Sequence, residues 1–185
     1  MKSYAFSLLV AGTCMADPSQ ATLEALKVPD AVDVPILEKR LTKEEFPSGL
    51  LAAMERYGWG GNKAPINGEM DLSVPEEVDF RIVDLNSDGN PEYFANTYLG
   101  GTSGPSFLLF SKLGEHWKCI GESSNFKLLP LKEGWHPIVS FGRSGSIYFK
   151  HYYEFGEGSY HHVETDEISD GKVTKTQIAQ VKPGS

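Results

Sequence analysis

Short motifs that mark enzymes and zinc proteins are missing from this sequence. It has 2 cysteines among 185 residues, and neither an HExxH motif nor a paired Cys/His spacing is present. Serines stand between glycines at residues 101–105 and 142–146, but neither segment matches the GxSxG pattern of hydrolases, and the first has no P-loop lysine. Both segments are predicted to be turns between strands. No catalytic residue is therefore predicted from a motif.

Positive charge is also scarce. The chain has 17 Lys and Arg against 25 Asp and Glu, which gives a net charge of -8 and a pI of about 5.1. This acidic balance disfavours binding to nucleic acid or to an anionic membrane through bulk electrostatics. It favours a basic protein, a neutral ligand or a cation as the partner.

Apolar runs are short, and the one near the start has the features of an export signal. Lys2 precedes the apolar residues 5–11, and Ala16 precedes an aspartate, which predicts cleavage after Ala16. The alternative is a lipoprotein anchored through Cys14. No other run approaches the ~18 residues that a membrane-spanning helix needs. We therefore expect a periplasmic or secreted protein without a transmembrane segment, in which Cys119 has no internal disulfide partner.

The rest of the chain divides into a lead-in and one domain. Prolines interrupt residues 17–47, which predicts a loosely structured lead-in with about one helical turn around residues 23–27. A helix is predicted from about residue 48 to residue 57, because Leu50, Met54 and Tyr57 fall at helical spacing and a glycine follows.

Beyond residue 78 nearly every segment reads as a short strand bounded by Gly, Pro or Asn. The predicted strands are 78–83, 93–99, 107–110, 116–120, 126–129, 138–141, 147–155, 160–168 and 173–176. We therefore predict a single α+β domain over residues 48–185, which is a mostly antiparallel β meander with an N-terminal helix packed against it.

The segment from Asp84 to Glu92 is the most informative part of the sequence. It sets oxygen-bearing side chains at alternate positions and supplies a glycine at the bend. Hard cations such as Ca²⁺ prefer this kind of ligand set. The predicted metal-binding residues are Asp84, Asn86, Asp88, Asn90 through its carbonyl, and Glu92. The segment is not an EF-hand, because Ala95 stands where that motif needs a glutamate.

This D-x-N-x-D-G-x-x-E pattern between two strands resembles the calcium loops of FG-GAP and related β-propeller or secreted-protein repeats. The resemblance implies that the first, third, fifth and ninth residues hold Ca²⁺. The loop occurs once, so a propeller is not predicted. The order of this loop and the later Gly- and Trp-containing segments is similar to small exported bacterial proteins of unknown function. The alternative from the residues alone is a metal-free turn whose Asp and Asn side chains cap backbone amides.

A C-terminal aromatic hairpin is the second candidate site. A three-residue turn at residues 156–158 would pair Tyr152 with His162 and Lys150 with Glu164, which brings opposite charges across the ladder. That register places tyrosine and polar side chains on one face, where they form a candidate partner-binding surface. The predicted partner-binding residues are Tyr152, Glu154, Tyr160, His162 and the separate Trp59. The alternative is that these are ordinary half-exposed sheet residues.

We therefore expect an exported, calcium-stabilised binding protein without enzymatic activity, as periplasmic inhibitors and immunity proteins are. Its expected partner is another exported protein of basic charge. The alternative is a small secreted hydrolase or carbohydrate-binding module that stacks sugars on an exposed Trp59, Trp117 or Trp135. In the predicted register of the C-terminal hairpin, His151 and His161 would also be close enough to hold a zinc ion.

Overall fold

The computed structural model describes residues 18–58, 73–99 and 104–178. The helices in these ranges are α1 (Gln20–Ala25) and α2 (Leu50–Tyr57). The first sheet contains β1 (Leu37–Thr42), β2 (Glu77–Val83), β3 (Glu92–Asn96), β4 (Phe107–Leu113) and β5 (His116–Ser123). The second sheet contains β6 (Phe126–Leu128), β7 (Ile138–Ser144), β8 (Ile147–Gly156), β9 (Ser159–Ser169) and β10 (Lys172–Gln177).

Each sheet is an antiparallel meander in which every strand pairs with its neighbour in sequence. The predicted mostly antiparallel β fold is confirmed as a class. The strands form two five-stranded sheets rather than one continuous meander, and the helices make up a small part of the chain. The break falls at the turn between β5 and β6, which directs the chain from one sheet into the other.

The two sheets share one apolar core, so they form a sandwich. Phe94, Leu109 and Ile120 come from the first sheet, and Leu128 and Ile138 come from the second, and all five are buried in a single cluster. The period-2 alternation of strands sends these residues to the same side of each sheet. The sheet faces that meet in this core are called inward, and the opposite faces outward.

Helix α2 lies on the outward face of the first sheet. Its residues Leu50 and Met54 are buried, with Phe80 and Trp117 of the sheet in the same cluster. The Trp117 indole N–H donates to the carbonyl oxygen of Ser48 at 3.0 Å. The helix ends at Gly58, whose φ of 87° is in the left-handed region that favours glycine.

The predicted lead-in contains regular structure. Strand β1 pairs with β2 over its whole length, and α1 contacts the second sheet, with Ala21 against Gly171. Val32 also bridges to Leu128 of β6. The strand was not predicted because its outer residues are charged, which is the composition that keeps an edge strand from pairing with another molecule. The ordered fold therefore begins well before residue 48.

The predicted register of the β8–β9 hairpin is wrong. The turn has two residues, Glu157 and Gly158, with φ values of 51° and 77°, as a type I′ turn requires. Gly156 therefore pairs with Ser159, and a bulge follows, so that Tyr153 rather than Tyr152 pairs with His162. Tyr152 pairs with Glu164.

A buried ion pair lies on the outward face of the second sheet. Lys150 and Asp166 are cross-strand partners, and the Lys150 Nζ lies 3.1 Å from Asp166 Oδ2, with side-chain exposures of 10% and 2%. The Tyr152 hydroxyl donates to the same oxygen at 3.0 Å. The exposed Lys175 lies 3.6 Å from Asp166 Oδ1. A buried pair of this kind contributes little compared with apolar residues, but removal of one partner leaves an uncompensated charge.

We expect Lys150→Met to lower the free energy of unfolding by about 3–5 kcal/mol, because Asp166 then stays buried with only the exposed Lys175 as an ion-pair partner. The double variant Lys150→Met/Asp166→Leu should recover most of that loss. Lys132→Met, which breaks the exposed pair with Glu154, is the control and should cost at most about 1 kcal/mol. Urea unfolding measures all three, and equal losses in Lys150→Met and the control would contradict this assignment.

Candidate functional site

The loop between β2 and β3 closes a hairpin whose last pair is Val83 and Glu92. Ser87 and Gly89 have φ values of 58° and 83°, and these left-handed residues turn the chain back on itself. Gly89 takes this conformation without strain, because it has no Cβ. The bend folds the side chains of the preceding residues toward the loop's own backbone.

Three of the predicted metal ligands converge in this loop. The Asp88 amide N–H donates to Asp84 Oδ1 at 3.2 Å and to Asn86 Oδ1 at 3.1 Å. Asn86 Nδ2 donates to Asp88 Oδ2 at 3.0 Å. The Gly89 N–H donates to Asp84 Oδ2 at 2.9 Å, and the Asn90 N–H donates to Asp88 Oδ1 at 2.7 Å. The side chains of Asp84, Asn86 and Asp88 therefore surround one short stretch of backbone.

The side-chain donors here are carboxylate and amide oxygens, which are the kind that a hard cation prefers. Each carboxylate oxygen of Asp84 and Asp88 keeps acceptor capacity beyond the amide hydrogen bond it receives. The same contacts also satisfy a metal-free turn, which was the alternative. In the described part of the chain, no three His, Cys, Asp or Glu residues form a group that could hold a metal. A cation would therefore depend on Asn86 and on backbone carbonyls as well as the two aspartates.

Glu92 has a different place from the other four predicted ligands. It is 2% exposed; its Oε2 accepts the Leu85 N–H at 2.7 Å, and its Oε1 accepts the Ser111 hydroxyl at 2.9 Å. Burial raises the pKa of Glu92 from 4.5 to about 7, and the nearby Asp88 and Asp84 add to that rise. Through these two hydrogen bonds, Glu92 joins Leu85 of the loop to Ser111 of β4.

The loop is also joined to the second sheet. The Leu85 carbonyl accepts the N–H of His136 at 2.8 Å, and the His136 carbonyl accepts the Tyr160 hydroxyl at 2.7 Å. Beside it, Trp135 stacks on Phe155 with ring centroids 3.8 Å apart. The segment before β7 therefore connects the loop to the β8–β9 hairpin. Sequence reasoning missed Ser111 and His136, and no local pattern around either residue indicates these contacts.

The predicted partner-binding residues are divided between two faces. Tyr160 pairs with Phe155, and His162 with Tyr153, and three of these four residues pack against the core between the sheets. Tyr152 and Glu154 lie on the outward face between two clefts, one of about 450 Å³ and one of about 330 Å³. Both residues line both clefts. Trp59 lies outside the described residues.

The histidines are paired differently from the prediction. His161 is opposite Glu154, on the outward face, whereas His151 is opposite Thr165 on the inward face. His151 and His161 therefore cannot share a metal ion. The imidazole nearest to His151 is that of His162, with ring centroids 5.3 Å apart, and the two rings are linked through the Thr165 hydroxyl.

Comparison with known proteins adds no family. No family model matches the chain, and no curated protein or solved structure matches it either.

The raised pKa of Glu92 makes stability depend on pH. Because the folded state holds this proton up to about pH 7 while the unfolded state releases it near 4.5, its contribution is complete below pH 4.5 and is lost as pH rises through 7. In EDTA, we expect the wild-type free energy of unfolding to fall by up to about 3 kcal/mol across this window, relative to Glu92→Gln.

The control for this measurement is Glu115→Gln, at an exposed hairpin tip. Its unfolding free energy should follow the wild-type profile at every pH. If the profiles of Glu92→Gln and wild type are parallel from pH 5 to pH 8, Glu92 is not the titrating group.

Proposed function

We propose that this protein is an exported, calcium-stabilised binding protein that recognises another protein and has no enzymatic activity. The main support is the outward face of β8. There Tyr152 and Glu154 stand between two adjoining clefts, and a rigid tyrosine beside open clefts is typical of recognition surfaces. An inhibitor or immunity-type protein needs such a face and no reactive group.

Calcium is the cofactor in this proposal. Asp84, Asn86 and Asp88 would hold the ion with the Asn90 carbonyl, since their oxygens already lie around one turn of backbone. The bound ion would neutralise two carboxylates that otherwise repel each other and Glu92. Glu92 would complete the site only by giving up one of its two internal hydrogen bonds, so we assign it first to bracing the loop.

Calcium should stabilise the wild-type protein. Loops in extracellular modules bind with Kd of ~10⁻⁴ to 10⁻³ M, so about 10 mM Ca²⁺ should add about 1.4–2.7 kcal/mol to the unfolding free energy measured in EDTA. Asp88→Ala should abolish the response, and Asp33→Ala, at an exposed position, should keep it. An equal response to Mg²⁺, or no response in wild type, would contradict a calcium site.

Exposed apolar side chains beside the clefts support a protein as the partner, and the net charge supports a basic one. Glu154 and Lys132 form an ion pair at 2.5 Å beside the smaller cleft, and next to them Leu131 is 49% exposed. Ile178, at the other cleft, is 37% exposed. Apolar side chains ringed by charged groups are usual at protein interfaces, and the net charge of -8 attracts a protein of opposite charge.

A tryptophan platform for sugars has less support. Trp117 is 9% exposed, and one face of Trp135 is covered by Phe155.

Within the described residues, no helix combines the length and the apolar character that crossing a membrane requires.

The partner-binding face can be tested by photo-cross-linking in the host. A benzoylphenylalanine at position 154 should cross-link to one dominant exported protein, because this position lies between the clefts. The same residue at position 98 is the control, since Tyr98 is 50% exposed and follows β3 at the end of the first sheet. Equal cross-linking from both positions, or none from position 154, would contradict the assignment.

A charge-reversal variant then tests the electrostatics with the purified partner. Glu154→Lys should weaken binding about tenfold, equivalent to about 1.4 kcal/mol, by placing like charges at the interface. Glu115→Lys changes the net charge equally at a distant hairpin tip and should leave Kd nearly unchanged. If both variants weaken binding alike, only the overall charge matters.

A further inference from the structure

The smaller of the two clefts beside Tyr152 and Glu154 has a volume of about 330 Å³. Its lining comes from three segments, namely the turn that contains Asp30, the connection from β6 to β7, and strand β8. Residues 30, 129–137 and 152–154 all lie inside the described ranges and away from their ends. Every wall of this cleft is therefore part of the described structure.

The lining of this cleft is largely apolar. Leu129, Pro130 and Pro137 contribute to it, and their side chains neither donate nor accept hydrogen bonds. The Leu129 N–H donates to the Pro137 carbonyl at 2.9 Å, and His136 Nδ1 donates to the Leu129 carbonyl at 2.7 Å. These main-chain groups are therefore occupied, and this part of the lining offers a ligand mainly apolar surface.

The charged residues of the cleft do not balance. Three charged side chains line it, those of Asp30, Lys132 and Glu154. Lys132 Nζ lies 2.5 Å from Glu154 Oε2, so these two charges compensate each other. Asp30 is exposed, and its carboxylate has no hydrogen-bond or ion-pair partner within the described part of the chain. The cleft therefore keeps one uncompensated negative charge.

Main-chain contacts hold Asp30 at the cleft. It follows a proline, whose ring fixes φ, in a turn that the Ala31 N–H closes by donating to the Val28 carbonyl at 3.1 Å. Directly after the turn, the Val32 N–H donates to the Leu128 carbonyl of β6 at 2.9 Å. The turn is thus tied to the second sheet before any ligand arrives, which lowers the cost of ordering it on binding.

A side chain that is apolar along its length and cationic at its tip matches both properties of the cleft. The arginine stem packs along apolar surface, and its planar guanidinium forms two parallel hydrogen bonds with a carboxylate. A lysine ammonium is more strongly hydrated and acts as a point charge, so it gains less at an apolar cleft. A leucine would leave Asp30 unpaired. Arginine is therefore the side chain that the cleft favours.

The surroundings of the cleft favour an arginine that belongs to a protein. Leu131, which stands between two lining residues, is 49% exposed, and Tyr152 and Glu154 extend the surface to the larger cleft. Arginine is enriched in protein interfaces and at the few positions that supply most of the binding energy. The net charge of -8 attracts a partner that carries such residues.

We propose that this cleft binds an arginine side chain of the partner protein, whose guanidinium pairs with Asp30. The inference rests on the protein-binding function proposed above, and it names the chemical group that the partner presents. The stem of that arginine packs on Leu129 and Pro137, and the ion pair between Lys132 and Glu154 stays intact.

Titration of the ¹⁵N-labelled protein with amino-acid derivatives tests this proposal without the partner. The probes are the Nα-acetyl amides of arginine, lysine, leucine and citrulline, the last being an uncharged analogue of arginine, each at millimolar concentration and constant ionic strength. We expect the arginine derivative to shift the amide signals of Ala31 and Leu129 but not that of Glu115 at a distant hairpin tip. Its Kd should be at least about threefold below those of the other derivatives.

The matched variants are Asp30→Asn and Asp33→Asn. Asp30→Asn removes the charge at the cleft while it keeps the size of the side chain, and it should weaken binding of the arginine derivative about three- to tenfold. Asp33→Asn removes the same charge at an exposed position outside the lining of the cleft and should bind like wild type.

Three results would each overturn the proposal. They are no shift of the cleft signals with the arginine derivative, equal binding of the lysine, leucine or citrulline derivative, and a loss in Asp30→Asn no larger than that in Asp33→Asn.

Failure of the cleft and failure of the protein-binding function give different results. If position 154 cross-links to one exported protein but the arginine derivative leaves the cleft signals unchanged, the partner stands and the arginine cleft is overturned. If the arginine derivative binds but position 154 cross-links to nothing, the protein-binding function is overturned, and with it the partner as the source of the arginine.

Discussion

The buried carboxylate of Glu92 is the contact on which the arrangement of this protein depends. It lies inside the fold, bonded to the Leu85 amide on one side and to the Ser111 hydroxyl on the other. Through Leu85 the chain of hydrogen bonds continues to His136 and Tyr160 of the second sheet. A hairpin loop that would otherwise be a solvent-exposed connection is therefore fixed to both layers of the sandwich. An ion in that loop would act on a part of the molecule that is already connected to its core.

The same contact explains why the loop carries two interpretations. Its aspartates and its asparagine are satisfied by backbone amides, so the turn is complete as a hydrogen-bonded structure. The acidic groups nevertheless stand close to one another and to Glu92, whose pKa is raised mainly by burial and in part by them. A carboxylate that is costly to ionise at the base of an acidic loop is what a divalent cation would relieve. The charges of the loop aspartates and of Glu92 therefore affect one another.

Much of the fold could be predicted from the sequence, because most strands are short apolar segments between turn residues. The helix over residues 50–57 and nearly all strands beyond residue 78 were found from periodicity alone. Strand β1 was missed, since Glu38, Lys39 and Arg40 give an edge strand the composition of a loop. The division into two sheets was also not foreseen, because strand spacing does not show where a meander leaves one sheet and begins the next.

The candidate site was harder to predict for a physical reason. A two-residue turn at Glu157 and Gly158 and a bulge beside Tyr153 move His162 and Tyr160 to the inward face, and a one-residue change of register exchanges the two faces of a strand. The partners of Glu92 and His151 are distant in sequence, so no local pattern reveals them. The sequence shows which polar residues are available for a site, but not which distant residues contact them.

The sequential order of the strands has a consequence for how the molecule assembles. The first sheet is complete at Ser123, and the second begins at Phe126, so neither sheet needs a strand from the other half of the chain. Pairing between neighbouring strands means that each hairpin can form once its own two strands are present. A chain emerging from its amino end would finish the first layer early, yet that layer would expose Phe94, Leu109 and Ile120 until the carboxyl-terminal hairpins arrive. The protein is therefore most vulnerable to aggregation after the first sheet has formed and before the second sheet covers it.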